Sequence, residues 1–276
     1  MIFLKSKFNF KRLVMPFFIV VFLMSIFVVS LSKISYAKSD KIISVLYIGN
    51  SLTFYNNLPL MIANLAESNN YSIVYESHAI GGRDLAGHAF DKKLLEKIKK
   101  QSWDFVVLQE QSQLPSFSQE QVQKDVYPYV KLLSQKIKAA NSKSTVVLYQ
   151  TMAKRNGNPE NAHIIPELKT YEGVQDRIND SYMVMAKSNR ALIAPVGKVW
   201  KEVRSQNRSI NLYSDDVHPN VVGSYLAACV FYATFFQETL SELSYPPLID
   251  EKTAKLFHDI VNKIVFGIYP KWDWSK

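Results

Sequence analysis

The chain has 276 residues, of which 47% are hydrophobic and 13% aromatic, and only nine are glycine. This composition argues against a disordered protein and fits one globular domain with a large core. The formal net charge of +9 includes five basic residues in the first 37 positions, and the other lysines are scattered, so the charge indicates solvated surface rather than a nucleic-acid groove.

The first 37 residues form a candidate export leader. Basic residues precede an uncharged apolar run from Leu13 to Leu31, and the small residues that signal peptidase prefers follow in Ser35-Tyr36-Ala37. We therefore expect cleavage after Ala37 and a mature domain of residues 38–276. The alternative is an uncleaved membrane anchor, because the run approaches the roughly 20 residues that span a bilayer. Either outcome predicts an extracytoplasmic domain, whether periplasmic, secreted or on the cell surface.

After the leader, short apolar runs alternate with longer amphipathic segments. The predicted strands are Ile42–Ile48, Tyr71–Ser77, Asp104–Leu108, Thr145–Gln150 and Ala191–Val196. The predicted helices are Leu58–Glu67, Lys92–Lys100, Glu120–Ala140, Glu167–Ser188, Pro219 to about Thr239 and Glu251–Val265. This alternation predicts an α/β fold, an open three-layer α/β/α sandwich in which helices cross over between parallel strands.

The residues that follow each strand are the candidate site, because such sheets bind ligands beyond the carboxyl ends of their strands. The segments in those positions are Gly49-Asn50-Ser51, His78 to Arg83, Gln109 to Ser112 and the later loop LYSDDVHPN. Together they supply a serine, a histidine and a carboxylate, which are the groups that nucleophilic acyl transfer needs.

Each of the three groups has a chemical role in this hypothesis. Ser51 would attack a carbonyl while His218 takes its proton, since a neutral imidazole accepts a proton near neutral pH. Asp215, three residues before His218, would orient the ring. Asp216 is the local competitor for this orienting role.

Each residue also has a structural alternative. Ser51 could cap the following helix, as serine often does, and His218 could be a surface histidine. The Gly81-Gly82 pair could serve a turn that needs positive φ, and Gln109 and Gln111 could be exposed polar residues. Their joint occurrence at successive strand ends favours the catalytic interpretation.

These motifs resemble those of the SGNH hydrolases, also called GDSL-like lipases and acylhydrolases, over about residues 41–236. The Gly-Asp-Ser block of the family is similar to Gly49-Asn50-Ser51, its second-block glycine falls at Gly81 or Gly82, and its Asp-x-x-His block matches the residues from Asp215 to His218. The third block departs from the family. Here the sequence VVLQEQSQ stands where Gly-x-Asn-Asp is usual.

The resemblance implies a flavodoxin-like five-stranded parallel sheet of order 2-1-3-4-5, with Ser51 as the nucleophile. It also implies an oxyanion hole made by the Ser51 amide, the amide of Gly81 or Gly82, and a third-block side chain. The third block places Gln109 at the glycine position and Gln111 at the asparagine position. A primary amide on Gln111 can donate the same N–H as asparagine.

The resulting hypothesis is an exported serine esterase that acts on an acyl ester, with acetyl groups on a carbohydrate as the candidate substrate. The alternatives are a noncatalytic carbohydrate- or ligand-binding domain on the same fold and an O-acyltransferase. We expect no nucleic-acid partner, membrane contact only through an uncleaved leader, and a monomer. Asn50, Gln109, His78 and His88 are candidate substrate contacts.

The proposed chemistry needs no metal or other cofactor. The five histidines, which are His78, His88, His163, His218 and His258, lack a recognisable ligand spacing. The lone cysteine, Cys229, lies in an apolar run and is expected to be a core residue.

Overall fold

The computed structural model describes residues 41–240 and 249–267. The predicted leader, residues 1–37, lies outside these ranges. Among the described helices, none combines the length and the hydrophobicity required to cross a membrane.

Five parallel strands form one sheet in the order β2-β1-β3-β4-β5, as expected. They are β1 Lys41–Gly49, β2 Tyr71–Ala79, β3 Phe105–Leu108, β4 Thr145–Tyr149 and β5 Leu192–Ala194. The register pairs Gly49 of β1 with Ala79 of β2, and Ile48 of β1 with Leu108 of β3. The carboxyl ends of β2, β1 and β3 therefore lie side by side, and the loops that follow them share one edge of the sheet.

Helices connect and cover the strands. Their bounds are α1 Ser51–Phe54, α2 Leu58–Glu67, α3 Leu85–Ala89, α4 Lys92–Lys100, α5 Gln119–Asp125, α6 Tyr127–Ala140, α7 Tyr171–Asn189, α8 Val196–Gln206, α9 Val221–Phe236 and α10 Glu251–Gly267. Short 3-10 turns occupy residues 55–57, 114–116, 159–161 and 166–169. The predicted helices at Leu58–Glu67 and Lys92–Lys100 are confirmed at both ends.

The single helix predicted for Glu120–Ala140 is wrong, because two helices occupy this segment. Helix α5 ends at Asp125 and α6 begins at Tyr127, with Val126 outside helical geometry between them. Pro128 lies in the first turn of α6. It has no N–H to bond Lys124, and its ring would clash with that carbonyl in a continuous helix.

Two other helices begin at residues different from those predicted, and the structure shows the reason for each. Helix α7 begins at Tyr171 rather than Glu167, because the Thr170 hydroxyl caps it by accepting from the Gly173 amide. Helix α9 begins at Val221, after Pro219 pairs with Tyr213 in an isolated antiparallel bridge.

The fifth strand is shorter than predicted, and the helix that follows it was not predicted. The strand was expected to reach Val196, but β5 ends at Ala194 and α8 begins at Val196. With only 3 residues in β5, the apolar run is shared between the strand and the first turn of the helix.

The core lies between the sheet and the helices. Strands β1, β3 and β4 are largely buried, and every residue of α9 from Gly223 to Phe236 is buried as well. Cys229 lies inside α9 with no exposed surface, so its prediction as a core residue is confirmed. Burial raises the pKa of its thiol to about 12, which keeps it protonated and unreactive. Helix α9 also packs on α2.

Candidate active site

The chain reverses direction sharply at the end of β1. Gly49 is needed there, because an added Cβ would lie 2.3 Å from Thr53 Oγ1 and 2.4 Å from Gln109 Oε1. Asn50, not Ser51, caps the short helix α1, since its Oδ1 accepts from the Leu52 amide at 3.2 Å. The capping alternative for Ser51 is therefore not what the structure contains.

The hydroxyl of Ser51 instead faces the imidazole of His218. Ser51 Oγ lies 2.9 Å from His218 Nε2, and His218 Nδ1 lies 2.8 Å from Asp215 Oδ2. Because a carboxylate can only accept, Nδ1 carries the proton and Nε2 is left to accept from the serine hydroxyl. The three side chains predicted from sequence are thus joined in one hydrogen-bonded series.

Asp215 is held by its own loop as well as by the imidazole. Its Oδ1 accepts from the Val217 amide at 2.7 Å and from the His218 amide at 2.6 Å. Partial burial would raise the pKa of this carboxyl, but the hydrogen bonds from His218 and Val217 outweigh it and lower the pKa to about 2. The group is therefore ionised at any ordinary pH and can stabilise a positively charged imidazolium.

Asp216 is turned away from the imidazole. Its Oδ1 accepts from Asn156 Nδ2 at 3.0 Å, and its carbonyl accepts from the Arg155 amide at 2.8 Å. The structure thus distinguishes the two adjacent aspartates that sequence reasoning had left in competition.

Sequence reasoning missed Tyr55. Its ring stacks on the His218 imidazole with 4.5 Å between ring centroids and 16° between ring planes. Tyr55 follows Ser51 by four residues, so one short segment supplies both the hydroxyl and a wall for the imidazole. Stacking restricts rotation of the ring and keeps Nε2 directed at the serine.

Asn56 was also missed. It links the turn that follows Ser51 to the residues that follow His218. Its Nδ2 donates to the Pro219 carbonyl at 3.0 Å and to Ser224 Oγ at 2.9 Å. Asn56 and Asn57 both have positive φ, 51° and 57°, which asparagine tolerates better than most residues. The Asn-Asn pair was the available signal for this sharp bend.

The glycine pair after β2 forms a tight turn. The Arg83 amide donates to the Ile80 carbonyl at 3.1 Å, and Gly82 has φ of +70°, which suits glycine at the third position of a type II turn. Gly81 and Gly82 are both exposed. Asn50 Nδ2 holds this turn near the serine by donating to the Arg83 carbonyl at 3.1 Å.

The two glutamines of the third block have different surroundings. Gln109 has no exposed surface, and its Oε1 accepts from the Asn50 amide and from Thr53 Oγ1, both at 2.8 Å. Its Nε2 donates to the Glu110 carbonyl. Gln109 therefore supports the serine turn from below.

Gln111 is half-buried at the same edge of the sheet. Its Oε1 accepts from the amides of Gln113 and Leu114 at 2.8 and 3.1 Å. Because those two donors fix the orientation of the amide, Nε2 points away from them, and it makes no hydrogen bond to any described residue. A free N–H donor thus belongs to Gln111 and not to Gln109.

Glu110, between the two glutamines, is a buried carboxyl that links two loops. Its Oε1 accepts from the Leu85 amide at 3.0 Å and from the Gln111 amide at 2.7 Å. Its Oε2 has no partner among the described residues. Burial raises the pKa of Glu110 to about 8, helped by the charge of Asp84 and opposed by the two amides.

Three of the candidate substrate contacts are buried. Asn50 is 4% exposed, and Gln109 and His88 have no exposed surface. His88 Nε2 is 2.8 Å from the Gly49 carbonyl, and burial lowers the pKa of its imidazole. The prediction that these three residues contact substrate is therefore corrected. Burial keeps their side chains out of an open cleft, and they support the turns around Ser51 instead.

His78, the fourth candidate substrate contact, interacts with Asp91 and His88. Its Nε2 lies 3.2 Å from Asp91 Oδ2, which the Arg83 guanidinium contacts at 2.6 Å. Its ring meets that of His88 edge to face with centroids 5.5 Å apart. Across the described ranges, no group of three or more His, Cys, Asp or Glu side chains is arranged to hold a metal ion.

No family model matches the chain, and no curated protein matches its sequence. Solved structures do match it. A protein named as a "putative SGNH hydrolase", from Slackia heliotrinireducens, is 29% identical with a TM-score of 0.58, and the match covers 70% of this chain and 99% of that protein.

Two further structures share the fold at lower identity. A DUF4886 family protein from Bacteroides uniformis has a TM-score of 0.69 at 18% identity, over 83% of this chain and 96% of that one. An acetylxylan esterase from Geobacillus stearothermophilus has a TM-score of 0.51 at 16% identity, over 74% and 97%. The sheet order and the match to the Slackia heliotrinireducens protein support the SGNH hydrolase superfamily that the motif resemblance indicated. Its structural neighbours include SGNH hydrolases and acetylxylan esterases, so the fold is one used by ester-hydrolysing enzymes.

Proposed function

We propose that this protein is a serine esterase in which Ser51, His218 and Asp215 form the catalytic triad. The observation that carries the proposal is the unbroken hydrogen-bonded series, 2.9 Å from Ser51 Oγ to His218 Nε2 and 2.8 Å from His218 Nδ1 to Asp215 Oδ2. A base within this distance can remove the hydroxyl proton as the oxygen attacks a carbonyl.

The reaction would proceed in two halves. Ser51 Oγ bonds to the ester carbonyl carbon while its proton passes to His218 Nε2, which gives a tetrahedral oxyanion. The carbon–oxygen bond to the alcohol then breaks, and the proton on His218 leaves with that alcohol. In the second half, water gives a proton to His218 and attacks the acyl group on Ser51, and the carboxylic acid departs as the serine recovers its proton.

The oxyanion would be bound by N–H groups from three neighbouring loops. Ser51 and Gly82 would contribute backbone amides, with Gly81 as the alternative to Gly82, and Gln111 would contribute its free Nε2. The loops that carry these groups follow β1, β2 and β3, which adjoin in the sheet. Glu110 supports the arrangement, since one of its carboxyl oxygens accepts hydrogen bonds from the Leu85 amide, after β2, and from the Gln111 amide, after β3.

We further propose that the substrate is an acyl ester outside the cytoplasm, with acetyl groups on a carbohydrate as the first candidate. The predicted leader supports the location, and the shared fold of an acetylxylan esterase supports testing acetylated glycans first. Purification of the exported protein and mass analysis of its N-terminus test the leader. Cleavage after Ala37 is expected, and retention of residues 13–31 would indicate an anchor.

The esterase proposal is tested by hydrolysis of p-nitrophenyl acetate, butyrate and octanoate. Ser51→Ala and His218→Ala should each remove most activity, and the double variant should be little worse than either single variant, because the residues act as one unit. The matched controls are Ser77→Ala and His163→Ala, which change exposed residues outside the site and should retain full activity. A double variant much slower than both singles would contradict a shared mechanism.

A noncatalytic binding domain is the second candidate, because the third block lacks the usual asparagine. If the site only binds, the wild-type protein and the Ser51→Ala variant should hydrolyse the three esters equally slowly. Both proteins should then still bind acetylated oligosaccharides.

A further inference from the structure

A cavity of about 570 Å³ lies next to the segment that leads into the Asp215–His218 turn. Its wall includes residues 210–213 together with the side chains of Arg155, Arg204 and Arg208. Glu172 is the one acidic residue in that wall. The lining therefore has a formal excess of two positive charges.

The arginines are not neutralised by carboxylates. Within residues 41–240 and 249–267, none of the three guanidinium groups lies within ion-pair distance of an Asp or Glu oxygen. Asp176, one helical turn beyond Glu172, is paired with Lys201. Three like charges with Glu172 as their one acidic neighbour in the wall, and with no direct ion pair, repel one another, and an anion between them would relieve this cost.

Two of the guanidinium groups are already fixed in position. One nitrogen of Arg155 donates to Asn211 Oδ1 at 3.1 Å and to the Tyr213 carbonyl at 3.0 Å. Arg204 donates to the Arg155 carbonyl at 3.1 Å, and its guanidinium carbon lies 4.0 Å from the centroid of the Tyr171 ring. Pre-ordered guanidinium groups lose less side-chain entropy when they bind a ligand.

We propose that this cavity binds the oxyanion group of a small ligand, namely a carboxylate, sulfate or phosphate. A guanidinium presents two parallel N–H donors that match two oxygens of such a group. Arg204 and Arg155 would hold the anion inside the cavity, and Arg208, which is exposed, would close over it from the rim. Binding of the anion at this cavity would not depend on the esterase activity.

Calorimetric titration of the purified protein tests this proposal, with inorganic phosphate, inorganic sulfate and glucuronate as probes and glucose as the neutral control. We expect saturable one-to-one binding of at least one anion, weaker binding at higher salt, and none of glucose. The preferred probe identifies the group, since carboxylate is planar and the other two are tetrahedral.

Arginine variants locate the binding. Arg208→Gln and Arg204→Gln should each weaken it about tenfold, the effect expected from loss of a charge-assisted hydrogen bond. The matched control is Arg190→Gln, which removes the same charge from an exposed position outside the cavity and should bind normally. Arg208 makes no hydrogen bond to a described residue, so its variant tests the site even if Arg204→Gln unfolds. No saturable binding, or equal affinity in Arg208→Gln and wild type, would overturn the proposal.

Discussion

Replacement of Glu110 by glutamine should remove a strong pH dependence of stability. Burial is the chief reason that the pKa of this carboxyl is about 8 in the folded protein, against an ordinary value of 4.5. Between these two values the folded state keeps a proton that the unfolded state has released. The free energy of unfolding therefore falls as pH rises through this window, and the loss is complete only above about pH 8.

The size of the effect follows from the two pKa values. Proton linkage for one such group predicts that wild-type stability falls by about 3 to 4 kcal/mol between pH 5 and pH 8. In Glu110→Gln the neutral amide keeps an oxygen to accept from Leu85 and Gln111, so this contribution to the slope disappears. At pH 8 the variant should be more stable than wild type.

Urea unfolding at pH 5, 6.5 and 8 measures this difference. Glu96→Gln changes an exposed glutamate and is the matched control, which should follow wild type at each pH. If the free energies of unfolding of wild type and Glu110→Gln change in parallel with pH, burial does not raise the pKa of Glu110. Glu110→Ala adds a functional readout: it loses the link between the two loops, so it should lower esterase activity, whereas Glu110→Gln should retain it.

Three further predictions concern the site. Tyr55→Phe should keep wild-type kcat/KM with p-nitrophenyl acetate, whereas Tyr55→Ala should lower it about 3- to 10-fold through loss of ring stacking. Equal kcat/KM for Tyr55→Ala and wild type would exclude a positioning role for Tyr55. Asn56→Ala should lower kcat and reduce the free energy of unfolding in urea by about 1 to 2 kcal/mol, because its hydrogen bonds to Pro219 and Ser224 are lost. Unchanged values would show that these two bonds do not hold His218 in place. Gln111→Ala should lower kcat by about 10²–10³ with little change in KM. Gln109→Ala should mainly lower the free energy of unfolding, by about 1 to 3 kcal/mol, because the Asn50 amide loses its acceptor. A catalytic defect confined to a stable Gln109 variant would reverse these assignments.

The sheet was predictable because each strand carries its own signal. Buried parallel strands appear as short apolar runs such as VLYIG before Asn50 or FVVL before Gln109, and the amphipathic helices between them require parallel connections. The strand order was available only through the family resemblance, since periodicity does not determine which strands are neighbours.

Helix boundaries were less predictable, because single residues determine them. Pro128 divides one predicted helix into two, and the Thr170 cap shortens another. A proline within an amphipathic pattern was a visible signal for the first break. The cap could be recognised only once the geometry was known, since threonine also occurs within helices.

The candidate triad could be proposed from residue type and strand position, but its supporting residues could not. Asn56 and Tyr55 act through contacts with residues more than 160 positions away, and no local pattern encodes such pairs. Gln109 and His88 were misjudged for a related reason. Gln109, directly after β3, and His88, beside the loop after β2, were expected to face the cleft, whereas both are buried and bond to the turn that carries Ser51.

We propose Ser51 as a nucleophile that His218 activates, and covalent labelling measures this reactivity directly. A fluorophosphonate probe forms a covalent bond with such a serine, and peptide mass analysis identifies the modified residue. We expect one label on Ser51, which is lost in Ser51→Ala, strongly reduced in His218→Ala and retained in the exposed-serine control Ser77→Ala. Labelling of another serine, or equal labelling of wild type and His218→Ala, would contradict it.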